Sequence, residues 1–257
     1  MPTFGTWERQ VLELCYDQVD YLSIHTYLGK TGDDTPSFLA MPDGMGEFIE
    51  EVTAICDATA ATLRKPRRMM LSFDEWNVWY HSHGDRERLG IPDWAEAPPL
   101  LEDVYTMEDA LVAGGMLIAL INHADRVKIA CLAQVVNVIG AIMTRTGGPA
   151  WRQTIYWPLL HASRWGRGVA LRPVVDCPRY DCRERPGAPT LAASAVSDPE
   201  TGALTVFAVN RSVDQPMDLS GDLRAFAPLR VLEHHVLRHD DLLAANTAEA
   251  PDNVVPA

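Results

Sequence analysis

Hydrophobic positions along residues 1–167 alternate between helical and extended spacing. Some stretches repeat apolar residues at the helical period and predict amphipathic helices, while short apolar runs predict buried strands. Helices that alternate with buried strands favour parallel strands joined by helical crossovers, which is an α/β arrangement. In chain order the predicted elements are a helix at 7–18, a strand at 21–25, a loop at 30–44, a helix at 45–65, a strand at 68–73, a helix at 107–123, a strand at 127–133 and a partly helical stretch at 151–165.

The pattern changes near residue 168. Short β-prone runs then follow one another, separated by turn signals such as Asp198–Gly202, and this texture is typical of an antiparallel β-sandwich. The predicted fold is therefore a unit with parallel strands over residues 1–167, followed by an all-β sandwich over residues 168–257. The β-prone runs lie at 169–175, 191–197, 203–210 and 228–237.

The stretch from 69 to 80, MMLSFDEWNVWY, holds the strongest chemical signal in the chain. Its apolar, strand-like part stops at Asp74 and Glu75, and Trp79 follows shortly after. A carboxylate at a strand end can attack or stabilise an electron-poor anomeric carbon, and flat aromatic faces pack against the C–H surfaces of sugars. The alternative interpretation is a strand end that carries two ordinary solvated acids.

Polar and aromatic side chains follow all three predicted strands. His25 and Tyr27 follow the first strand, Glu75 and Trp79 the second, and Gln134 the third. In (β/α)₈ barrels the active site is assembled from the carboxyl ends of several strands. Taken singly, the histidine is a structural residue, the two aromatics are core or rim residues, and the glutamine satisfies loop backbone groups. Their coincidence at corresponding strand ends favours a functional site.

Composition and charge narrow the choice of partners. The 257 residues are 47% hydrophobic and 22% charged, as in an ordinary globular protein. A net charge of −13 repels phosphate backbones, so nucleic acid is not an expected partner. The longest apolar run, 110–121, is shorter than the about 20 residues that cross a bilayer. No leader pattern follows Met1, so we expect a cytoplasmic protein without a membrane partner.

Neither metal nor thiol chemistry is expected. The five cysteines form no CxxC pair, and Cys56 and Cys131 lie in apolar stretches that predict buried thiols with a packing role. His81 and His83 are spaced by two residues, but they fall in a long predicted loop, residues 81–99. We therefore predict no metal site and no cofactor.

Several long segments resemble the α-L-arabinofuranosidases of glycoside hydrolase family 51. LSFDEWNVWYHS, residues 71–82, is similar to the nucleophile segment of that family. The resemblance covers nearly the whole chain and is strongest from 70 to 171. The other similar segments are YLSIHTYLG at 21–29, APPLLEDVYTMEDAL at 97–111, HADRVKIACLAQVVNVIGAIMT at 123–144 and WRQTIYWPLLHASRWGRGVAL at 151–171.

The resemblance implies the last three strands of a (β/α)₈ barrel, followed by an incomplete β-sandwich. It implies a retaining glycoside hydrolase that releases terminal α-L-arabinofuranosyl residues from arabinose-containing oligosaccharides or polysaccharides, with a homo-oligomeric full-length enzyme. Glu75 would be the catalytic nucleophile. His25, Tyr27, Trp79 and Gln134 would bind the substrate, with the tyrosine hydrogen-bonded to the nucleophile.

Asp74 is the rival nucleophile. Neighbouring residues on a strand face opposite ways, so with Glu75 in the site we expect Asp74 to face the surrounding helices or to bind backbone groups. The family's general acid/base is a glutamate, usually preceded by Asn, and this sequence contains no Asn–Glu pair. Because retaining hydrolysis uses two carboxyl groups about 5 Å apart, we expect this chain alone to be inactive.

Two other interpretations stay open. One is a non-catalytic remnant or a carbohydrate-binding fragment that lacks the general acid/base. The other is a retaining glycosidase of the same barrel clan with a different substrate.

Overall fold

The computed structural model describes residues 3–96, 98, 101–226 and 228–257. Its regular elements are the helices α1 (Thr6–Cys15), α2 (Thr35–Thr62), α3 (Asp85–Arg88), α4 (Met107–Asn122) and α5 (Tyr156–Trp165), and the strands β1 (Tyr21–Leu28), β2 (Met70–Val78), β3 (Val127–Leu132), β4 (Ile142–Thr144), β5 (Ala150–Arg152), β6 (Val169–Leu171), β7 (Arg179–Tyr180), β8 (Ala188–Pro189), β9 (Leu191–Ser197) and β10 (Leu204–Asn210).

Strands β1, β2 and β3 form a parallel sheet in that order. Helix α2 connects β1 to β2 and helix α4 connects β2 to β3, so the predicted alternation of strands and helical crossovers is confirmed. The sheet buries Leu22, Ile24, Leu71 and Phe73, which join residues of both helices in one continuous core. Because these apolar side chains bury one face of the sheet, functional side chains must lie on the opposite face.

Helix α2 begins ten residues earlier than the sequence pattern predicts, so the predicted loop at 30–44 is wrong over most of its length. Asp34 caps the helix by accepting a 3.0 Å hydrogen bond from the Ser37 amide, and Pro36 occupies its first turn, where proline is tolerated. Pro42 lies inside the helix and packs toward Gly115 of α4. A helix that contains an internal proline is hard to predict from the sequence, because proline usually breaks a helix.

Strand β3 lies at the edge of the sheet, and this position corrects one prediction. Cys56 is buried as expected, but Cys131 of β3 is exposed. Of the residues in β3 only Val127 is buried, since the strand has a neighbour on one side alone within the described residues. The apolar character of the segment therefore does not translate into burial in this chain.

The region after residue 168 contains an antiparallel sheet of order β10–β9–β6 and a short β7–β8 pair. Ile118 of α4 packs against Ala192 and Val209, which seats this sheet on the helix that links β2 to β3. The β-prone run at 228–237 is not a strand, and Val231 and Leu232 within it are exposed. The sandwich over residues 168–257 therefore stays a prediction, as does the boundary at 167.

Over its described residues, the predicted long loop after β2 is irregular apart from the single turn of α3. Residues 97 and 99 of that loop lie outside the described residues. Among the described helices, none is both long enough and apolar enough to cross a membrane.

Candidate active site

The exposed face of the parallel sheet is polar at the carboxyl ends of its strands. On β1 the side chains of Ser23, His25 and Tyr27 alternate with buried Leu22 and Ile24. This alternation is the ordinary period of a strand with one face in the core. It places the three polar side chains on the exposed face of the sheet, beside β2.

Strand β2 departs from simple alternation because it contains an extra residue. From Ser23 to His25, β1 advances two positions, while its partner β2 advances three, from Ser72 to Glu75. The same insertion is present relative to β3 between Phe73 and Trp76. Such a β-bulge bends the strand and redirects side chains.

The bulge exposes Asp74 and Glu75 together between buried Phe73 and Trp76. The prediction that Asp74 faces the helices or backbone is therefore wrong. Its Oδ1 accepts a 2.7 Å hydrogen bond from the Ser23 hydroxyl. The predicted strand end at residue 73 is also wrong, since β2 continues to Val78.

His25 lies between the two carboxylates. Its Nε2 is 3.4 Å from Oδ1 of Asp74 and 3.1 Å from the Ser23 hydroxyl oxygen, and its Nδ1 is 3.7 Å from Oε2 of Glu75. Because the Ser23 hydroxyl donates to Asp74, its oxygen is left to accept from the imidazole Nε2–H. The ring is thereby held at Nε2, while Nδ1 faces Glu75 beyond hydrogen-bond distance.

Tyr27 donates its phenolic hydrogen to Oε2 of Glu75 at 2.9 Å. Burial of the ring, followed by the hydrogen bond to Glu75 and the charge of that carboxylate, raises the pKa of Tyr27 to about 12. The phenol is thus a neutral donor throughout the physiological range. It orients the carboxylate while leaving the other oxygen, Oε1, without a hydrogen bond from the described residues.

Trp79 forms the aromatic wall of the site. Its ring meets Tyr27 edge-on at 5.2 Å and His83 at 5.1 Å, and its indole N–H donates to the Ser82 hydroxyl at 3.3 Å. The Trp79 ring thus packs edge-on against the tyrosine that donates to Glu75, in a geometry that aromatic pairs prefer. The structure brings together four of the five predicted site residues, His25, Tyr27, Glu75 and Trp79.

Gln134 follows β3 at the same edge of the sheet, and its side chain is exposed. The amide of the neighbouring Ala133 donates a 3.2 Å hydrogen bond to the carbonyl of Trp76, which is the residue after Glu75. No hydrogen bond joins the Gln134 side chain to the other described residues of the site. Its place in the substrate site therefore stays a prediction.

Asn77 is a structural residue of the site that the sequence pattern did not reveal. It is fully buried, and its amide donates to the Ala133 carbonyl at 2.8 Å and to the Ile139 carbonyl at 2.7 Å. These bonds fasten the loop that carries Gln134 to the end of β2. An Asn inside a β-prone run is the only sequence signal, and it has no specificity by itself.

The histidines of the loop after β2 have structural partners. Nε2 of His81 lies 2.8 Å from Oδ2 of Asp109, and the ring of His83 packs against Trp79. The side chain of Asp85 lies outside what the structure describes. Among the described residues there is no group of three or more His, Cys, Asp or Glu arranged to hold a metal ion.

Comparison with known proteins identifies the family. A family model described as the α-L-arabinofuranosidase C-terminal domain matches residues 74–257. The intracellular exo-α-(1→5)-L-arabinofuranosidase of Halalkalibacterium halodurans is 51% identical over 96% of this chain and 49% of its own length. The intracellular exo-α-(1→5)-L-arabinofuranosidase 1 of Bacillus subtilis is 47% identical over 100% of this chain and 50% of its own length.

Solved structures agree. A family 51 α-L-arabinofuranosidase from Bifidobacterium longum matches with a TM-score of 0.94 at 35% identity, covering 100% of this chain and 53% of that one. The arabinose complex of the Thermotoga maritima α-L-arabinofuranosidase matches with a TM-score of 0.75 at 25% identity, covering 99% of this chain and 51% of that one. The chain spans about half the length of the relatives it matches. It belongs to the α-L-arabinofuranosidases of glycoside hydrolase family 51 and corresponds to their C-terminal portion.

Proposed function

We propose that this chain supplies the nucleophile side of a retaining α-L-arabinofuranosidase active site, with Glu75 as the nucleophile. The observation that carries the proposal is the 2.9 Å hydrogen bond from Tyr27 to Glu75 on the exposed face of the sheet. An exposed carboxylate that is oriented by a neutral donor and walled by Trp79 suits attack on a sugar. An ordinary solvated acid at a strand end would not require Tyr27 and Trp79 beside it.

In the proposed reaction, Oε1 of Glu75 attacks the anomeric carbon of an arabinofuranoside. The bond from Oε1 to that carbon forms as the bond to the leaving oxygen breaks, giving a covalent glycosyl-enzyme. Tyr27 keeps the second carboxylate oxygen engaged, so the attacking one is presented in a single orientation. Water then attacks the same carbon and its bond to Oε1 breaks, which restores the carboxylate and, through this second displacement, retains the anomeric configuration.

The other predicted residues have supporting roles in this proposal. His25 is positioned by Asp74 and Ser23 at the side of the nucleophile, where its Nδ1 can meet a sugar hydroxyl. Trp79 offers an apolar ring to one face of the furanose. Gln134 completes the subsite from the end of β3.

A second carboxyl group must protonate the leaving oxygen in a retaining enzyme. The family resemblance assigns this role to a glutamate in an Asn–Glu pair, and this sequence has no such pair. We therefore propose that the three parallel strands are the last three of a (β/α)₈ barrel and that this chain alone does not turn over substrates with poor leaving groups. An all-β sandwich over residues 168–257 is part of the same proposal.

The names of the relatives suggest the biological setting. Several are intracellular exo-α-(1→5)-L-arabinofuranosidases, so we propose a cytoplasmic enzyme portion that acts on α-(1→5)-linked arabino-oligosaccharides during arabinan catabolism. Assembly of the full-length enzyme as a homo-oligomer belongs to the same proposal.

The nucleophile can be tested without the general acid. A dinitrophenyl α-L-arabinofuranoside has a leaving group that departs without protonation, so the chain should release dinitrophenolate and retain a covalent arabinosyl group. We expect mass spectrometry to locate that group on the peptide that contains Glu75. The E75Q variant should not be labelled, and the matched D74N variant should still be labelled at Glu75.

Added azide provides an independent check of the same step. Because azide is a nucleophile that needs no general base, it should release the arabinosyl group as an arabinofuranosyl azide of retained configuration. Labelling of Asp74, or equal labelling of the E75Q variant, would overturn the assignment of the nucleophile. Binding of arabino-oligosaccharide without any labelling would favour the carbohydrate-binding alternative.

A further inference from the structure

Three consecutive backbone amides converge on one buried carboxylate behind the aromatic wall. Asp103 is 1% exposed. Its Oδ2 accepts hydrogen bonds from the amides of Tyr80 at 3.1 Å and His81 at 3.0 Å, and its Oδ1 accepts one from the amide of Ser82 at 2.8 Å. Amide hydrogen bonds to a buried charged acceptor are among the stronger ones in proteins.

The segment that Asp103 holds leads directly to Trp79. Ser82 accepts the indole N–H of Trp79 at 3.3 Å, and the amide of Trp79 donates to the Leu28 carbonyl of β1 at 2.8 Å. The Trp79 ring then meets Tyr27 at 5.2 Å. The orientation of the indole therefore depends on where the 80–82 backbone is held.

A second carboxylate holds the side chains of the same segment. Asp109 accepts from the Tyr80 hydroxyl at 3.2 Å and contacts His81 Nε2 at 2.8 Å. Burial by itself lowers the pKa of His81, but the hydrogen bond and charge of Asp109, with Asp103 and Glu108, raise it overall. Asp109 thus binds side chains on the far side of the segment, whereas Asp103 sets its main-chain path.

From these contacts we infer that Asp103 is a positioning residue that fixes the Trp79 ring in the sugar subsite through the 80–82 backbone and the Ser82 hydroxyl. The inference rests on the proposed function for its meaning in catalysis. A carboxylate is needed because both of its oxygens accept. An Asn at 103 retains one acceptor and turns an NH₂ group toward an amide donor that then has no acceptor.

The test follows the Trp79 ring itself by ¹⁹F NMR of the full chain labelled with 5-fluorotryptophan. The W79F variant assigns the Trp79 resonance by its loss. In D103N we expect that resonance to shift and broaden as the ring samples more than one orientation, and in S82A we expect a smaller change of the same kind. The other tryptophan resonances should keep their positions.

Asn246→Ala is the matched control. Asn246 is also fully buried and has three backbone hydrogen bonds, donating to the Arg152 and Val254 carbonyls and accepting from the Val254 amide, all outside the 79–82 segment. Its loss should destabilise the fold without moving the Trp79 resonance. An unchanged Trp79 resonance in D103N, or an equal change in N246A, overturns the inference.

Two further arms keep the outcomes separate. If D103N does not fold, S82A decides alone, because it removes only the acceptor of the indole N–H, and an unchanged Trp79 resonance there overturns the inference. The dinitrophenyl arabinofuranoside reports on the proposed function independently. If the unmodified chain is not labelled, that function is refuted, and the ¹⁹F comparison still decides the role of Asp103.

If the unmodified chain is labelled and the ¹⁹F result supports the role of Asp103, the D103N variant should be labelled at Glu75 about tenfold more slowly, since small misplacements of site residues carry rate costs of this order or larger.

Discussion

The phenolic oxygen of Tyr27 lies 2.9 Å from Oε2 of Glu75, across two neighbouring parallel strands. The contact exists because β1 keeps its alternation while β2 carries one extra residue before Glu75. A strand with regular alternation would place the two acids on opposite faces. The bulge is thus the local backbone feature that makes the candidate site possible.

The first prediction concerns the titration of Tyr27, whose pKa is raised to about 12 by burial first and by Glu75 second. In E75Q the pKa of Tyr27 should fall toward the ordinary value of about 10 but stay above it, because burial remains. Titration of ¹³C-labelled tyrosine rings by NMR measures this directly. A Tyr27 that titrates at its ordinary value in the unmodified chain contradicts the contact.

The same shift has a consequence for stability. A group with a folded pKa above its unfolded value contributes stability that is present below the unfolded pKa and is lost as the pH rises through the folded pKa. For Tyr27 this loss occurs between about pH 10 and about pH 12. Urea unfolding of Y27F should therefore show a shallower decline of stability over that interval than the unmodified chain.

The second prediction concerns Asn77, which joins the end of β2 to the Ala133 and Ile139 carbonyls. The N77A substitution leaves these buried groups without partners, which should lower the free energy of unfolding by about 2–4 kcal/mol. The exposed Asn253, whose amide donates to the Ala245 carbonyl at 3.2 Å, is the control. N253A should cost about 1 kcal/mol or less, and equal losses in urea denaturation would contradict the prediction.

The third prediction concerns the ion pair that joins Arg211, the residue after β10, to Asp43 of α2. Arg211 is almost fully buried and binds both carboxylate oxygens of Asp43 at 2.9 and 2.6 Å, while Asp43 is partly exposed. The D43A substitution leaves an unpaired buried cation and should cost about 3–5 kcal/mol. R211M should cost less, because the remaining carboxylate can reach water. Thermal unfolding of both single variants and of the double variant measures these losses of stability. A larger loss in R211M than in D43A would contradict the prediction.

The fourth prediction separates two adjacent glycines of α4. A Cβ at Gly115 would lie 2.8 Å from Cγ of Pro42, whereas a Cβ at Gly114 would lie 3.3 Å from a methyl group of Val209. We expect G115A to destabilise by about 1–3 kcal/mol through overpacking, despite the better helix propensity of alanine. G114A should change stability by less than about 1 kcal/mol, since the valine can adjust. A reversed order in chemical denaturation would show that α2 does not pack closely at Gly115.

Some features of the fold follow from local pattern alone. Helix α4 and strand β3 lie within one residue of their predicted bounds, because their apolar patterns are continuous. Strand β1 begins where predicted but continues past residue 25 to Leu28. The sequence predicts a shorter α2 because Pro36 and Pro42 are typical of loops. The composition of the run at 228–237 predicts a strand, but the run has no partner strand among the described residues, and a β-prone run without a partner does not form a ladder.

The sequence by itself determined the alternation of strands and helices, the family, and the choice of Glu75, Tyr27, His25 and Trp79 as residues to bring together. These depend on the order of residue types along the chain. Only the tertiary structure decided that Asp74 joins Glu75 on the exposed face, that Cys131 lies open at a sheet edge, and that Asp103 and Asn77 hold the surrounding loops. The physical reason is that bulges, edges and long-range hydrogen bonds are properties of strand pairing and packing, which residues distant in the chain create together.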